Sequence, residues 1–455
     1  MAAGKGTRMK SRRPKVLHRL AGRGLIDHVV RCAAALDPRT VVLITGHGAD
    51  EVEAAVRASD AVAAPAFVRQ EPQLGTGHAV QQAVPVLPDD GIALILNGDV
   101  PLIQPETLRA LVDACGGERL ALLGVELPDP TGYGRIVRDG DRVTAIVEHK
   151  DATEAQRRIR EVYTGFMAVP NKLLNRWRGL LTNDNAQREY YLTDVVKHAV
   201  AEGATVVAVD CADRLQVEGV NSPLQLAQLE RAYQLRHAER LMEQGVRLAD
   251  PARLDVRGTL ECGQDVEIDV GCVFEGRVVL GDNVRIGPNC VIADAVIDAG
   301  AEIRAFTHIE GEGTGVRVGE GALIGPFARL RPGAQLGPEV HIGNFVEVKN
   351  STLARGAKAN HLAYLGDSQV GEKVNYGAGS ITANYDGANK HRTVIEDEVH
   401  VGSNCVLVAP VRIGRGGTVG AGSTITRDTE PGTLTVARGR QASIAGWKRP
   451  LKAKK

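Results

Sequence analysis

Within AAGKGTRMKSRRPK (2–15), Gly4 and Gly6 stand close to Arg8 and Lys15, so exposed backbone N–H groups and two cations can converge on phosphates. The loop is not a Walker A motif, which needs four residues between its glycines where this one has a single residue. An ordinary turn is the alternative for so short a pattern. A second glycine loop, LGTGHA (74–79), and the segment NGDVPL (97–102), which sets Asp99 directly after an apolar run, strengthen the phosphate reading. An aspartate at the carboxyl end of a strand can hold Mg²⁺ against substrate phosphates, or it can simply cap a turn. Far along the chain, HLAYLGD (361–367) supplies His361 and Tyr364, with Arg331, Glu347 and Lys349 nearby. Alternate strand positions share a face, so Glu347 and Lys349 point the same way and could orient a base and an anionic substrate. A hydrogen-bonded wall histidine is the plainer reading of His361.

The elements that must position these groups differ between the two halves of the chain. Up to about residue 221, short apolar runs such as VVLITG (41–46) and IALILNGD (92–99) alternate with helix-like stretches such as ETLRALVDAC (106–115). That alternation predicts an α/β layer fold with a mostly parallel sheet. Ser222 followed by Pro223 reads as an N-cap with proline at the first helical position, opening a connecting helix through about Gln244. Beyond residue 250, apolar residues recur at intervals of six: Val318, Ile324, Leu330, Leu336, Ile342 and Val348 form one run, and Val401, Leu407, Ile413, Val419 and Ile425 another. Glycine follows many of them, as expected where a chain turns a corner every half-dozen residues. A parallel β-helix follows, in which stacked turns share one aliphatic core. The register slips near 293–317, and ANYDGANKHR (383–392) is a polar insertion, either a solvated loop or part of a binding face.

Composition narrows the functional classes. At 455 residues the chain has room for about three domains. Lys+Arg and Asp+Glu both number 55, so no global field favours nucleic acid or an anionic membrane, and an anionic ligand must be held by a local cluster. The seven cysteines form no C-x-x-C pair, which speaks against a zinc ribbon or redox motif and fits reduced thiols in a cytoplasm. No stretch approaches about 18 consecutive apolar residues.

AAGKGTRM with PKVLH, QLGTGHA, GDVPL, DPTGYGR, VEHKDA, EYYLTD, VEGVN, GPFARLRPGA, GNFVEVK, YLGD, NYDGANK and VAPV occur in an order that resembles the bacterial bifunctional UDP-N-acetylglucosamine pyrophosphorylase / glucosamine-1-phosphate N-acetyltransferase family over nearly the whole chain. The resemblance implies a Rossmann-like α/β nucleotidyltransferase domain at 1–221, a linker helix at 222–250, a left-handed parallel β-helix of hexapeptide repeats at 251–442 and a basic tail at 443–455. It implies a cytoplasmic homotrimer with sites shared between solenoids, using Mg²⁺, UTP and acetyl-CoA. Handedness comes from the resemblance alone, since chain sterics favour right-handed crossovers.

By position, Ala2, Ala3, Gly4, Arg8, Lys15, Gln70, Gly75, Thr76, Gly134, Glu148 and Asn221 resemble the UTP and sugar-phosphate set, with Asp99 and Asn221 as Mg²⁺ ligands. In the second half, His361 resembles the general base and Glu347 its orienter. Arg331, Lys349, Tyr364, Asn375, Asn384, Tyr385 and Lys390 match glucosamine-phosphate contacts, and Ala378, Ser403, Ala421 and Arg438 match acetyl-CoA contacts. Two departures stand out. Tyr163 occupies the place where the family usually has a sugar-contacting asparagine, and Met1 stands at the end of the family's first apolar strand, so a core strand is expected to be missing.

Two rival readings carry different predictions. His308, His341, His361, His391 and His400 would suit a zinc-dependent γ-type carbonic anhydrase on the same prism, which leaves the N-terminal motifs without a purpose. Translation-initiation exchange-factor subunits join similar folds without catalysis, against which stand the retained Arg8, Lys15, Asp99 and His361.

Overall fold

Alternating apolar positions in the first half place side chains on both faces of each strand, and helices must cover both. A computed structural model describes residues 1–450 and Lys452, and the chain divides into two compact units, Met1–Tyr233 and Gln234–Lys455. The last residues of the basic tail, Leu451 and 453–455, lie outside the described residues. The first unit contains strands β1 (Val42–Thr45), β2 (Ala66–Arg69), β3 (Ile92–Ile95), β4 (Leu120–Glu126), β5 (Gly134–Asp139), β6 (Arg142–Val147), β7 (Glu161–Pro170) and β8 (Val206–Asp210). On β4, Leu120 and Leu122 pack into one buried cluster while Ala121 and Leu123 pack into another, so both faces of the sheet are dry.

The mostly parallel sheet expected from the alternation is not what forms. Only β1 with β2 and β4 with β8 run parallel, whereas β7 pairs antiparallel with β3, β4 and β5. The reason is the length of β7, whose ten residues give one edge to β4 and divide the other between β3 and β5. That central strand carries Tyr163, opposite Gly124 on β4 and Gly134 on β5.

Among the described residues no strand fills the space between β1 and β3. Ala2 makes a single parallel bridge to Thr45, its N–H donating to the Ile44 carbonyl at 2.8 Å. The Met1 carbonyl accepts from the Gly98 N–H at 2.9 Å. Beside these contacts lies a cavity of about 330 Å³ lined by apolar side chains that include Ile26, Val30, Val42, Ile44, Ile92 and Leu94.

The long helix runs Pro223–Glu243, and the Ser222 hydroxyl accepts from the Gln225 N–H at 3.2 Å, as the cap pattern predicts. In the second unit, Gln234 is 1% exposed and gives both ends of its amide to the backbone of Val256, closing the first coil. The sixfold spacing becomes three stacked rows of buried aliphatics. Ile303, Ile324, Ile342 and Ala359 form one, Ile309, Leu330, Val348 and Leu365 a second, and Val318, Leu336, Leu353 and Val370 a third, each through parallel pairing. Both irregularities are outward loops between registered strands. Ala293 pairs with Glu310 and Ala295 with Val316, so residues 311–315 leave the wall without disturbing it.

Candidate active sites

In the first unit the glycine loop folds back on itself because Gly6, at φ +60, leaves no room for a side chain against the Lys15 Cβ. Lys15 is thereby carried to the end of β3, where its Nζ forms an ion pair with Asp99 and donates to Asn221 Oδ1 at 3.2 Å. Arg8 donates to the same Asn221 oxygen at 2.8 Å. Two hard oxygens, one carboxylate and one amide, therefore converge on a single cationic point. That donor set suits Mg²⁺, which is typically held by one or two carboxylates with waters and phosphate oxygens completing the shell. Among the described residues no group of three or more His, Cys, Asp or Glu converges in the manner of a metal site built from protein alone.

A cavity of about 360 Å³ extends from this point, with Arg8, Asp99 and Asn221 on its wall together with Thr76, Gly134, Glu148, Tyr163 and Thr193. Glu148 accepts from the Thr193 hydroxyl at 3.1 Å, and burial pushes its carboxyl above the usual range. Two of the predicted residues also brace the second glycine loop. Gln70 is buried and donates to the Gly75 carbonyl at 2.9 Å, so its amide holds the second glycine loop in place. The Thr76 hydroxyl accepts from the Leu192 N–H at 3.0 Å, fixing that loop to the 189–192 segment. Ala2 and Ala3 are buried in the bridge to β1, and Gly4 is exposed with open space beside it. Thr193, a positioning partner of Glu148, escaped the sequence reading. Its only signal was its place in the EYYLTD motif.

In the second unit the substrate-contact candidates lie around one corner of the prism, formed by β9 (Arg329–Leu330), β10 (His341–Asn344), β11 (Glu347–Lys349), β12 (Lys358–His361) and β13 (Tyr364–Gly366). Pairing sets Glu347 opposite Tyr364 and Lys349 opposite Gly366. A Cβ at Gly366 would collide with the Tyr364 hydroxyl and stand 2.8 Å from Asn384 Nδ2, so glycine is what lets the tyrosine lie across the wall. Asn384 and Asn350 both donate to the buried carboxylate of Asp367. Lys349, Lys390 and Arg331 face one another, and the Lys390 ammonium holds Lys349 below the usual lysine range, with desolvation and Arg331 acting in the same direction. Crowded cations of this kind are relieved by an anion.

The polar insertion is ordered by its own contacts. Asp386 accepts from the N–H groups of Asn389 at 2.6 Å and Ala388 at 2.8 Å and pairs with His391 at 2.6 Å, and these contacts hold its carboxyl well below the usual range. Tyr385 bridges to Lys390 across the hairpin so formed. Ala378, Ser403, Ala421 and Arg438 fall on one column of successive coils. The Ala378 carbonyl accepts from Asn404, the Ser403 carbonyl from Gly422, and the Ala421 carbonyl from the Arg438 guanidinium at 2.7 Å.

One expected contact is absent. Glu347 does not orient His361 within the chain, because the two leave the corner on different faces. Glu347 accepts from Arg331 at 2.8 Å, while His361 Nδ1 meets Asn344 Oδ1 at 2.9 Å. An amide oxygen only accepts, so Nδ1 carries the proton and Nε2 is left as the basic atom. Asn344 is thus the positioning residue that the sequence reading missed. Asn375 sits on the same sheet as His361, opposite Lys358, with no hydrogen bond to the other candidates. For the acetyl transfer that the family resemblance implies, we expect Asn344→Ala to lower kcat/KM about 5- to 10-fold, the worth of one neutral hydrogen bond, with the implied nucleotidyl transfer unchanged.

Comparison with known proteins covers both units. Residues 1–161 match the model of the MobA-like NTP transferase domain, and residues 261–294, 315–350 and 392–427 match that of the bacterial transferase hexapeptide repeats. The chain is 70% identical over 456 residues to the bifunctional protein GlmU of Methylibium petroleiphilum, covering 99% of this chain and 98% of that protein. It is 71% identical over 459 residues to the bifunctional protein GlmU of Polaromonas naphthalenivorans, covering 99% and 97%. A solved UDP-glucose pyrophosphorylase from Acinetobacter baumanii is 20% identical with a TM-score of 0.39, over 53% of this chain and 94% of that one.

Proposed function

The chain belongs to the family of the bifunctional protein GlmU, and from that premise we infer that it is two transferases on one polypeptide, serving the synthesis of UDP-N-acetylglucosamine. The second unit acetylates glucosamine-1-phosphate with acetyl-CoA. The first then transfers UMP from UTP to N-acetylglucosamine-1-phosphate and releases pyrophosphate. The observation that carries the reading is near-complete coverage at this identity, in a chain whose candidate groups gather into one anionic-ligand site per unit.

In uridylyl transfer a phosphate oxygen of the sugar attacks the α-phosphorus of UTP as pyrophosphate leaves. The protein's share is positioning and charge. Lys15 and Arg8 neutralise phosphate oxygens at the end of β3, the 74–79 loop braced by Gln70 receives the base, and Glu148 and Gly134 meet the sugar. Asp99 and Asn221 would hold Mg²⁺, which would supply neutralisation of phosphate charge when bound.

In acetyl transfer the amine of glucosamine-1-phosphate attacks the thioester carbonyl, His361 Nε2 takes the proton that the amine loses, and the C–S bond breaks so that CoA leaves as a thiolate, which the imidazolium can reprotonate. Lys349, Lys390 and Arg331 hold the phosphate, with Tyr364, Asn384 and Tyr385 against the sugar. The column from Ala378 to Arg438 takes acetyl-CoA. The homotrimer belongs to the same proposal. It is supported by the failure of Glu347 and His361 to meet in one chain, and by Phe306, Phe327 and Phe345, which stack at 5.0 and 5.4 Å yet remain about half exposed.

The test supplies UTP, glucosamine-1-phosphate, acetyl-CoA and Mg²⁺, and follows free CoA and pyrophosphate separately. Both should appear, CoA first. Residues 234–455 alone, which carry their own continuous core, should form trimers by light scattering and release CoA but no pyrophosphate. A monomeric, inactive fragment beside an active full-length chain would remove the proposed independence of the second unit.

A further inference from the structure

Asn350, Asp367 and Asn384 follow one another at intervals of 17 and stack at one corner of the prism on successive coils. Asn350 and Asp367 both hold left-handed backbone, at φ +44 and +50, which their residue types tolerate. The carboxylate in the middle of the stack is buried, and each of its oxygens takes one amide: Oδ1 accepts from Asn350 Nδ2 and Oδ2 from Asn384 Nδ2.

The chemistry of the stack fixes the outer amide. A carboxylate only accepts, so Asn384 must turn its nitrogen towards Asp367 and its oxygen away. Its backbone is tied as well, the carbonyl accepting from the His391 N–H at 2.8 Å. Among the described residues nothing donates to Asn384 Oδ1, and that atom keeps contact with solvent although the residue is only 9% exposed. A Cβ at Gly366 would stand 2.8 Å from Asn384 Nδ2, and Gly366 is paired with Lys349. The amide therefore lies on the outward corner where Lys349, Lys390 and Arg331 gather, with the Asp367 charge felt at Lys349.

We propose that Asp367 is a positioning residue of the second unit's site, holding Asn384 as an acceptor so that an amino-sugar phosphate meets the cations with its phosphate and the Asn384 oxygen with a hydroxyl or amine N–H. The inference rests on the acetyltransferase reading of that unit. It also gives a purpose to a carboxylate placed among cations that are to bind an anion. The two orientations of an amide are alike in shape and opposite in polarity, and Asp367 forbids one of them.

Asp367→Asn inverts the stack without changing its size. The new amide oxygen still accepts from Asn350, but a nitrogen stands where Oδ2 was, and Asn384 must turn its oxygen inward to meet it, presenting N–H donors to the donors of the sugar. With CoA release as the readout, KM for glucosamine-1-phosphate should rise about 10-fold, with kcat and the KM for acetyl-CoA within about twofold of wild type. Charge alone works the other way, because losing an anion beside Lys349 strengthens phosphate binding. An unchanged or lower KM, or a fall in kcat with KM unmoved, would therefore overturn the proposal. The exchange of Asp367→Asn together with Asn384→Asp keeps the net charge and puts the carboxylate outermost, where one oxygen accepts from the amide at 367 and the other faces the substrate. It should recover most of the loss in KM, and an exchange variant no better than Asp367→Asn would overturn the proposal too. Wild-type chain that releases no CoA from acetyl-CoA and glucosamine-1-phosphate would instead overturn the activity reading on which it rests.

Discussion

Replacing His361 by alanine is expected to lower acetyl transfer by about 10²- to 10⁴-fold, the range for removing a positioned general base. The amine must shed a proton as it attacks the thioester, and His361 presents a free Nε2 because Asn344 binds the opposite nitrogen. Uridylyl transfer in the same preparation serves as the internal control, and it should be unchanged because the histidine belongs to the solenoid alone. A variant that keeps near wild-type acetylation would reduce His361 to a wall residue.

Asp99→Ala should abolish pyrophosphate release, a loss of about 10³-fold or more, while CoA release continues at the wild-type rate. Among the described residues Asp99 is the carboxylate that pairs with Lys15 where Arg8 and Asn221 also meet, and without it the proposed Mg²⁺ would keep only an amide oxygen. Asp99→Asn preserves shape and hydrogen bonding to Lys15 but not charge, and it should be nearly as inactive. Recovery of activity in the asparagine variant would mean that Asp99 only positions Lys15. Equal loss of both reactions in either variant would point to unfolding rather than to a metal ligand.

What could be read from the sequence followed from how each signal arises. The solenoid was legible because a period of six fixes which residues face inward, and Ile324, Leu330 and Leu336 do take the three inner rows. The strand directions of the first unit were not legible, because β7 looks like any apolar run and its antiparallel role depends on its length and on three partners elsewhere in the chain. The gathering of Lys15, Asp99 and Asn221 was foreseen from motifs, but the brace that Gln70 gives to Gly75 was not, since a glutamine in a loop carries no sign of its partner. The separation of Glu347 from His361 had the same origin. Ile324 pairs with Ile342 but Ile342 with Ala359, so one coil is a residue shorter than the last. Glu347 and His361 belong to strands of different sheets of the prism, and a hexad pattern does not record which pairs of residues meet across a corner.

The interruption between β1 and β3 divides the first unit's resistance to local opening unevenly. A pair of strands is marginal by itself, and β1 and β2 reach the rest of the sheet through the Ala2 bridge and across an apolar cavity. β4, by contrast, is hydrogen-bonded along both edges, to β7 and to β8. Amide hydrogens of Val42–Thr45 should therefore exchange with solvent more readily than those of Leu120–Glu126, a difference that hydrogen–deuterium exchange would read. The strand that leads into Gln70 belongs to the first group, and the strand that presents Tyr163 is locked to the second. The side of the cavity proposed to take the base thus rests on the part of the sheet that opens most readily, and the side proposed to take the sugar on the part that opens last.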